Sequence, residues 1–411
     1  MGGSRTALVA AAVLGLALRL AFGLFYWVGQ PLTRDEREYL SLARGVASGR
    51  GFVYDAEVLS GPQDPFGRAP GYPVFLALVG GGRHVTSAVP TSVKIAQSIV
   101  GTAGVVLVGV LAGRLAGRRA ATVAAFLAAA YPPLVWVAAY AWSEAIAWPI
   151  GLLIVWLFDR TVERTDRSAW RLAAATGVTC GFAILVRPST LLFVPLALAG
   201  LAWQRRLALA LALAAGAALV VAPWSARNTR EYGRFVLVAT EGGVTFWTGN
   251  HPHARGEGDL ASNPHLKLES QALRRQYPSL SEEAMEPVYY REAMSWIRAH
   301  PIDWVLLEWR KVFYLIVPIG PSYTMHSRLY SGASAMSYGL ALTLAIAGCI
   351  RLGGRRGRAP GLWLLAGSAI AVCLLFFPQE RFRIPVIDPA LIVTAAAITA
   401  AGKTEGAIHI A

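Results

Sequence analysis

Apolar residues arrive in long blocks separated by short polar turns. Leu207–Trp224 carries no charged residue, and Trp170–Val186 is broken only by Arg171 and small polar residues. A helix needs roughly 20 apolar residues to cross a bilayer, with a range of about 17–25. Blocks of this length therefore predict membrane spans, at approximately 6–29, 92–113, 119–140, 143–158, 170–186, 188–203, 207–224, 332–350, 360–378 and 384–401. The expected fold is an all-α polytopic membrane protein of about ten transmembrane helices. The first block is longer than the ~7–15 residues of a signal-peptide core, and no small-residue cleavage site follows it, so it is expected to remain as a span.

The polar stretches are not featureless. In 30–91, Tyr39, Leu42, Ala43 and Val46 recur at i, i+3, i+4 and i+7, which predicts a helix with one apolar face lying along the membrane surface. Gly49-Arg50-Gly51 ends it. Tyr72–Val79 is too short to span and is expected to dip into the interface. Trp304–Pro318 is apolar but interrupted by Glu308, Arg310 and Lys311, and is expected to lie at the interface.

Composition supports the membrane assignment. Of 411 residues, 55% are hydrophobic and 15% charged, where a soluble chain carries about 25% charge. The net charge of +14 would suggest nucleic acid in a soluble protein. Here much of the excess sits in turns between apolar blocks, at Arg114 to Arg119, Arg205-Arg206 and Arg351 to Arg358. Basic turns face the cytoplasm, so nucleic acid is not an expected partner. Both termini then lie inside, and 30–91 and 225–331 face outward. The chain divides into an N-terminal transmembrane module (1–224, with its first external loop at 30–91), an extracytoplasmic segment with interfacial helices (225–331), and C-terminal transmembrane helices (332–411). Cys180, Cys349 and Cys373 fall inside apolar blocks, against disulfide or zinc roles.

Several charged groups then fall on the outer face. Asp35 and Glu36 follow the first span, where ionisable groups are functional candidates; Thr33 with Glu36, or Asp35 with Glu38, also fits a helix cap. Arg68 precedes a Pro/Gly turn and is either functional or snorkelling to headgroups. Glu144 opens a span, where a carboxylate also suits the helix dipole. Arg187-Pro188 lies between two apolar runs, where Arg187 also suits snorkelling. Arg381 and Arg383 flank an aromatic, and guanidinium groups bind phosphate oxygens in a bidentate way; pairing with Glu380 is the alternative. His251 and His253, near Glu257 and Asp259, are a weak metal candidate whose spacing fits no zinc pattern. Acidic and basic groups on one face suggest a site for an anionic lipid-linked group.

Asp35-Glu36 with Tyr39, and Arg68-Ala69-Pro70-Gly71-Tyr72-Pro73, resemble the first two external-loop motifs of GT-C glycosyltransferases. Ser143-Glu144, Arg187-Pro188, Ala222-Pro223-Trp224 with Arg227-Asn228, Gly249-Asn250, His300-Pro301 and Glu380 to Pro385 recur in the same order. The resemblance is to the family 39-like bacterial branch, similar to protein O-mannosyltransferases and the lipid A aminoarabinose transferase. It implies an inverting, metal-independent transfer from a polyprenyl-phosphate sugar to a lipid, glycan or protein acceptor, at the outer face of the bacterial inner membrane. Asp35 would be the general base, with Glu36 and Glu144 as further acidic candidates. Arg68, Arg381 and Arg383 would bind donor phosphate, and Tyr39, Tyr72, Arg187 and Asn250 would contact substrate. A transporter or flippase of a lipid-linked sugar is the competing class. It shares the spans and arginines but needs no base.

Overall fold

The computed structural model describes residues 2–59, 67–258, 263–317 and 328–400, and these are helical with no strand. Six helices are long and apolar enough to cross a membrane: Arg5–Tyr26, Thr91–Ala116, Glu144–Glu163, Ser168–Val186, Leu207–Tyr232 and Leu329–Leu352. The pair Arg118–Ala130 and Pro132–Ala139, bent by 62°, makes a seventh. The bend follows from Pro132 and Pro133, because the residue before a proline is driven out of the helical region, and Tyr131 sits at φ −66°, ψ 113°. Three shorter apolar helices, Pro188–Trp203, Pro360–Leu375 and Ile387–Thr399, occupy the remaining predicted blocks. The chain is a multi-pass membrane protein.

Small residues let the helices close up, since in lipid the association rests on packing rather than on a hydrophobic driving force. Ser168–Val186 and Leu207–Tyr232 cross at glycines: a Cβ on Gly177 would stand 2.0 Å from the Leu213 carbonyl oxygen, and one on Gly216 would stand 2.5 Å from that of Ala174. Gly177→Leu is expected to cost at least about 2 kcal/mol through overpacking. The check is the thermal midpoint of the detergent-solubilised protein, and an unchanged midpoint would contradict the crossing.

The two ends of the bundle differ in chemistry. At one end Arg114 pairs with Glu163 at 2.5 Å, and Arg206 Nη1 donates to the Val162 carbonyl at 2.7 Å, gathering the basic turns. The helix Glu144–Glu163 runs away from that end for 20 residues, about 30 Å at 1.5 Å per residue. Glu144 therefore lies at the other end.

At Glu144's end stands the helix Arg34–Ala47. Its start is a capping box: the Thr33 hydroxyl accepts from Glu36 N and Glu36 Oε2 accepts from Thr33 N. It is not the one-faced surface helix that the periodicity predicts. Leu40 and Ser41 are fully buried with Leu42 and Ala43. The following loop covers the helix, with Asp55 paired to Arg44 and its N–H donating to Ser41. Leu40 and Ala43 pack with Tyr72, Leu76, Val93, Ala141, Ile146 and Val186.

Residues 242–299 hold a separate small core built on Val244, Phe246, Trp247, Leu266, Met285, Val288 and Tyr289. The next helix, Pro301–Ile316, is 16 residues long. It exposes Ile302, Val305, Leu306, Trp309, Phe313 and Ile316. Opposite them, buried Lys311 donates to Glu308 at 2.6 Å and to the Leu374 carbonyl at 2.8 Å. Pro318, the end of the predicted interfacial segment, lies outside the described residues.

Candidate active site

Asp35 stands in the first turn of Arg34–Ala47 and carries a guanidinium on each oxygen. Oδ1 is 2.9 Å from Arg68 Nη2, and Oδ2 is 2.6 Å from Arg381 Nη1. Its side chain keeps 22% of its exposure.

Arg68 is fixed from several sides. Gly67 N donates to Thr240 Oγ1 at 2.8 Å and Thr240 N donates back to the Gly67 carbonyl at 2.9 Å. That pairing brings Glu241 beside Arg68, 3.0 Å from Nη1. Glu38, one helical turn after Asp35, accepts from Arg68 Nε and Nη2, and its other oxygen accepts from Arg34. The Arg68 guanidinium lies 5.1 Å from the centre of the Tyr39 ring.

Arg381 occupies the short turn Glu380–Arg383. Its guanidinium lies 5.3 Å from the ring centres of both Trp142 and Phe382, and Nε donates to Gln379 at 3.0 Å. Nε is also 3.8 Å from Glu144. Buried Glu144 holds Arg187 at 3.0 Å, and Arg187 also donates to the Ser143 hydroxyl. A run of alternating charge results: Glu241, Arg68, Asp35, Arg381, Glu144, Arg187.

Burial pushes the Asp35 carboxyl up, but Arg381 and Arg68 outweigh it and hold it below the usual carboxylate range. Burial lowers the Arg68 guanidinium, and Glu241, Glu38 and Asp35 more than reverse this. The group is thus a set of committed charges in a partly dehydrated place, where each interaction counts for more than in water.

The structure brings together Asp35, Tyr39, Arg68, Glu144, Arg187 and Arg381, and it gives Glu36, Tyr72, Asn250 and Arg383 partners elsewhere in the chain. Glu36 is buried, and its oxygens accept from Thr33 N and from Ala141 N, so it closes the helix cap and tethers the next loop. Tyr72 is fully buried and its hydroxyl donates to Gln97 at 2.6 Å. Buried Asn250 donates to the Phe246 and Leu375 carbonyls and accepts from Trp304 and Lys311, a tie between helices. Arg383 is 3% exposed, donates to the Val317 carbonyl at 2.9 Å and lies 3.7 Å from the Tyr338 ring centre. It turns away from the partners of Arg381. Arg68 is in place, with three carboxylates, Asp35, Glu38 and Glu241, on its guanidinium.

The imidazoles of His251, His253 and His265 stand in a row, 5.5 and 5.6 Å between successive centroids. Burial lowers His251 to about 4. No group of three His, Cys, Asp or Glu is placed for a metal among the described residues, and Asp259 lies outside them. Sequence reasoning missed Glu241, gave Trp142 no role of its own and Phe382 none beyond standing between two arginines, and read Glu38 only as a cap. Glu38 was within reach of the pattern, because i and i+3 share a helix face.

The architecture is that of a helical membrane protein with an ion-paired polar site at one end of the bundle. Residues 68–226 match the family model for dolichyl-phosphate-mannose-protein mannosyltransferase. No curated protein matches the chain by sequence. Among solved structures, the apo oligosaccharyltransferase of Archaeoglobus fulgidus superposes with a TM-score of 0.55 at 16% identity, over 96% of this chain and 50% of that one. The same enzyme with an inhibitory peptide and dolichol-phosphate gives 0.52 at 15% identity, over 96% and 50%. ArnT from Cupriavidus metallidurans bound to undecaprenyl phosphate gives 0.44 at 14% identity, over 95% and 76%. The chain spans about half the length of the oligosaccharyltransferase, and it has the GT-C fold.

Proposed function

We propose that the chain is a membrane glycosyltransferase that moves a sugar from a polyprenyl-phosphate donor to an acceptor hydroxyl, with inversion. The observation that carries this is Asp35, a carboxylate set between two arginines inside the GT-C fold. The match of residues 68–226 to a mannosyltransferase family model supports it, as does the dolichol-phosphate in a structure of similar fold.

The chemistry follows from the groups present. A hydroxyl has a high pKa and needs a base as it attacks. Asp35 takes that proton while the acceptor oxygen bonds to the anomeric carbon. The bond from that carbon to the phosphate oxygen breaks, and its electron pair leaves with polyprenyl phosphate. Arg381 meets the phosphate charge that develops, and fixed cations in a water-poor site stabilise such charge strongly. Arg68 is a positioning residue for Asp35, and Glu144 with Arg187 positions Arg381. The acceptor is a lipid, glycan or protein hydroxyl. The basic turns at the opposite end of the bundle support an outward-facing site in the bacterial inner membrane, with 225–331 on the same side and Pro301–Ile316 laying its apolar face in the outer interface.

One assay tests activity and orientation together. Protein in sealed vesicles of defined orientation is given a panel of polyprenyl-phosphate sugars and acceptors. Transfer is expected from the face opposite the basic turns and to persist in EDTA. Translocation of the lipid-linked sugar without transfer would replace the enzyme by a flippase.

A further inference from the structure

We propose that Arg381 couples the two substrates: the donor phosphate draws its guanidinium away from Asp35, so that the base is unmasked only once the donor is bound. This rests on the glycosyltransferase reading and adds an order of events to it. As it stands, each Asp35 oxygen is occupied by an arginine, at 2.9 and 2.6 Å. A carboxylate so engaged is a poor proton acceptor for an incoming hydroxyl. One arginine must release it before transfer.

The two arginines are held differently. Arg68 is 10% exposed and tied to Glu38 and Glu241 as well as to Asp35. Arg381 is 25% exposed. Glu144 is at 3.8 Å, and Gln379, Trp142 and Phe382 meet it without carrying a charge. The two aromatic rings, each 5.3 Å from the guanidinium, can stay beside the cation without holding it to Asp35. An arriving phosphate offers it a bidentate partner with more charge than one carboxylate oxygen. Arg381 therefore exchanges Asp35 for phosphate, while Arg68 stays and keeps the carboxylate in position.

If phosphate and Asp35 compete for the same guanidinium, removing the carboxylate strengthens phosphate binding, because coupling between two sites is reciprocal. The experiment measures polyprenyl phosphate affinity for the purified full-length protein by calorimetry, with no transfer required. Asp35→Asn is expected to bind about tenfold more tightly than the wild-type protein. Asp35→Ser, measured beside it, removes the same carboxylate and is expected to do likewise. Glu241→Gln deletes a carboxylate from Arg68 instead, and is expected to give a much smaller gain, since it removes charge without releasing Arg381. A gain in the Asp35 variants no larger than in Glu241→Gln, or a loss, overturns the exchange and leaves the glycosyltransferase reading standing. Wild-type affinity indifferent to Arg381→Gln overturns the donor site itself, and with it both readings.

Discussion

Arg381→Gln is expected to weaken polyprenyl phosphate binding about 10–100-fold, the loss of a charge-assisted hydrogen bond of about 1.5–3 kcal/mol. Glutamine keeps some length and one donor group but loses the cation and the planar fork. Arg381→Lys is expected to recover only part of the affinity, because an ammonium restores charge but neither the bidentate geometry nor the planar group that lies beside Trp142 and Phe382. Arg383→Gln separates a binding role from a structural one. Arg383 is buried against Tyr338 and the Val317 carbonyl, so its loss is expected to lower the thermal midpoint while the folded fraction keeps its affinity. Equal loss of affinity in the Arg381 and Arg383 variants would restore the paired phosphate role that the motif suggests.

The spans were legible because crossing lipid imposes long apolar runs, and short basic turns divide them. The residues of the site were legible only in part. Asp35 announced itself as a charge directly after an apolar block. Glu241 did not, since it reaches Arg68 through the pairing of Gly67 with Thr240, 173 positions apart. Arg381 and Arg383 look like a pair in the linear motif. In the helical turn Glu380–Arg383, residues two apart do not share a face, so one enters the site and the other enters the core. Tyr72 and Asn250 illustrate the same limit. A motif records which residues occur together, whereas burial decides whether their polar atoms face a ligand or, as with Gln97 and the Leu375 carbonyl, another part of the chain.

Asp35→Asn is expected to lower the rate of sugar transfer about 10²–10⁴-fold, the usual contribution of a general base. The sequence leaves a helix cap open as the residue's alternative role, but the cap belongs to Thr33 and Glu36. The stability of the helix start is therefore largely independent of Asp35. What asparagine gives up there is one charge near the helix dipole, about 0.3–1 kcal/mol. Arg68 keeps Glu38 and Glu241, and Arg381 keeps Glu144 at 3.8 Å, so neither cation is stranded by the change. The variant should fold, insert and bind the lipid phosphate at least as tightly as the wild-type protein, yet transfer almost no sugar. Binding and catalysis moving in opposite directions is the signature of a proton acceptor that also competes for the donor's arginine. Measured as kcat beside the dissociation constant for polyprenyl phosphate, near-normal kcat in Asp35→Asn would remove the base from the mechanism and return Asp35 to the role of a counter-ion.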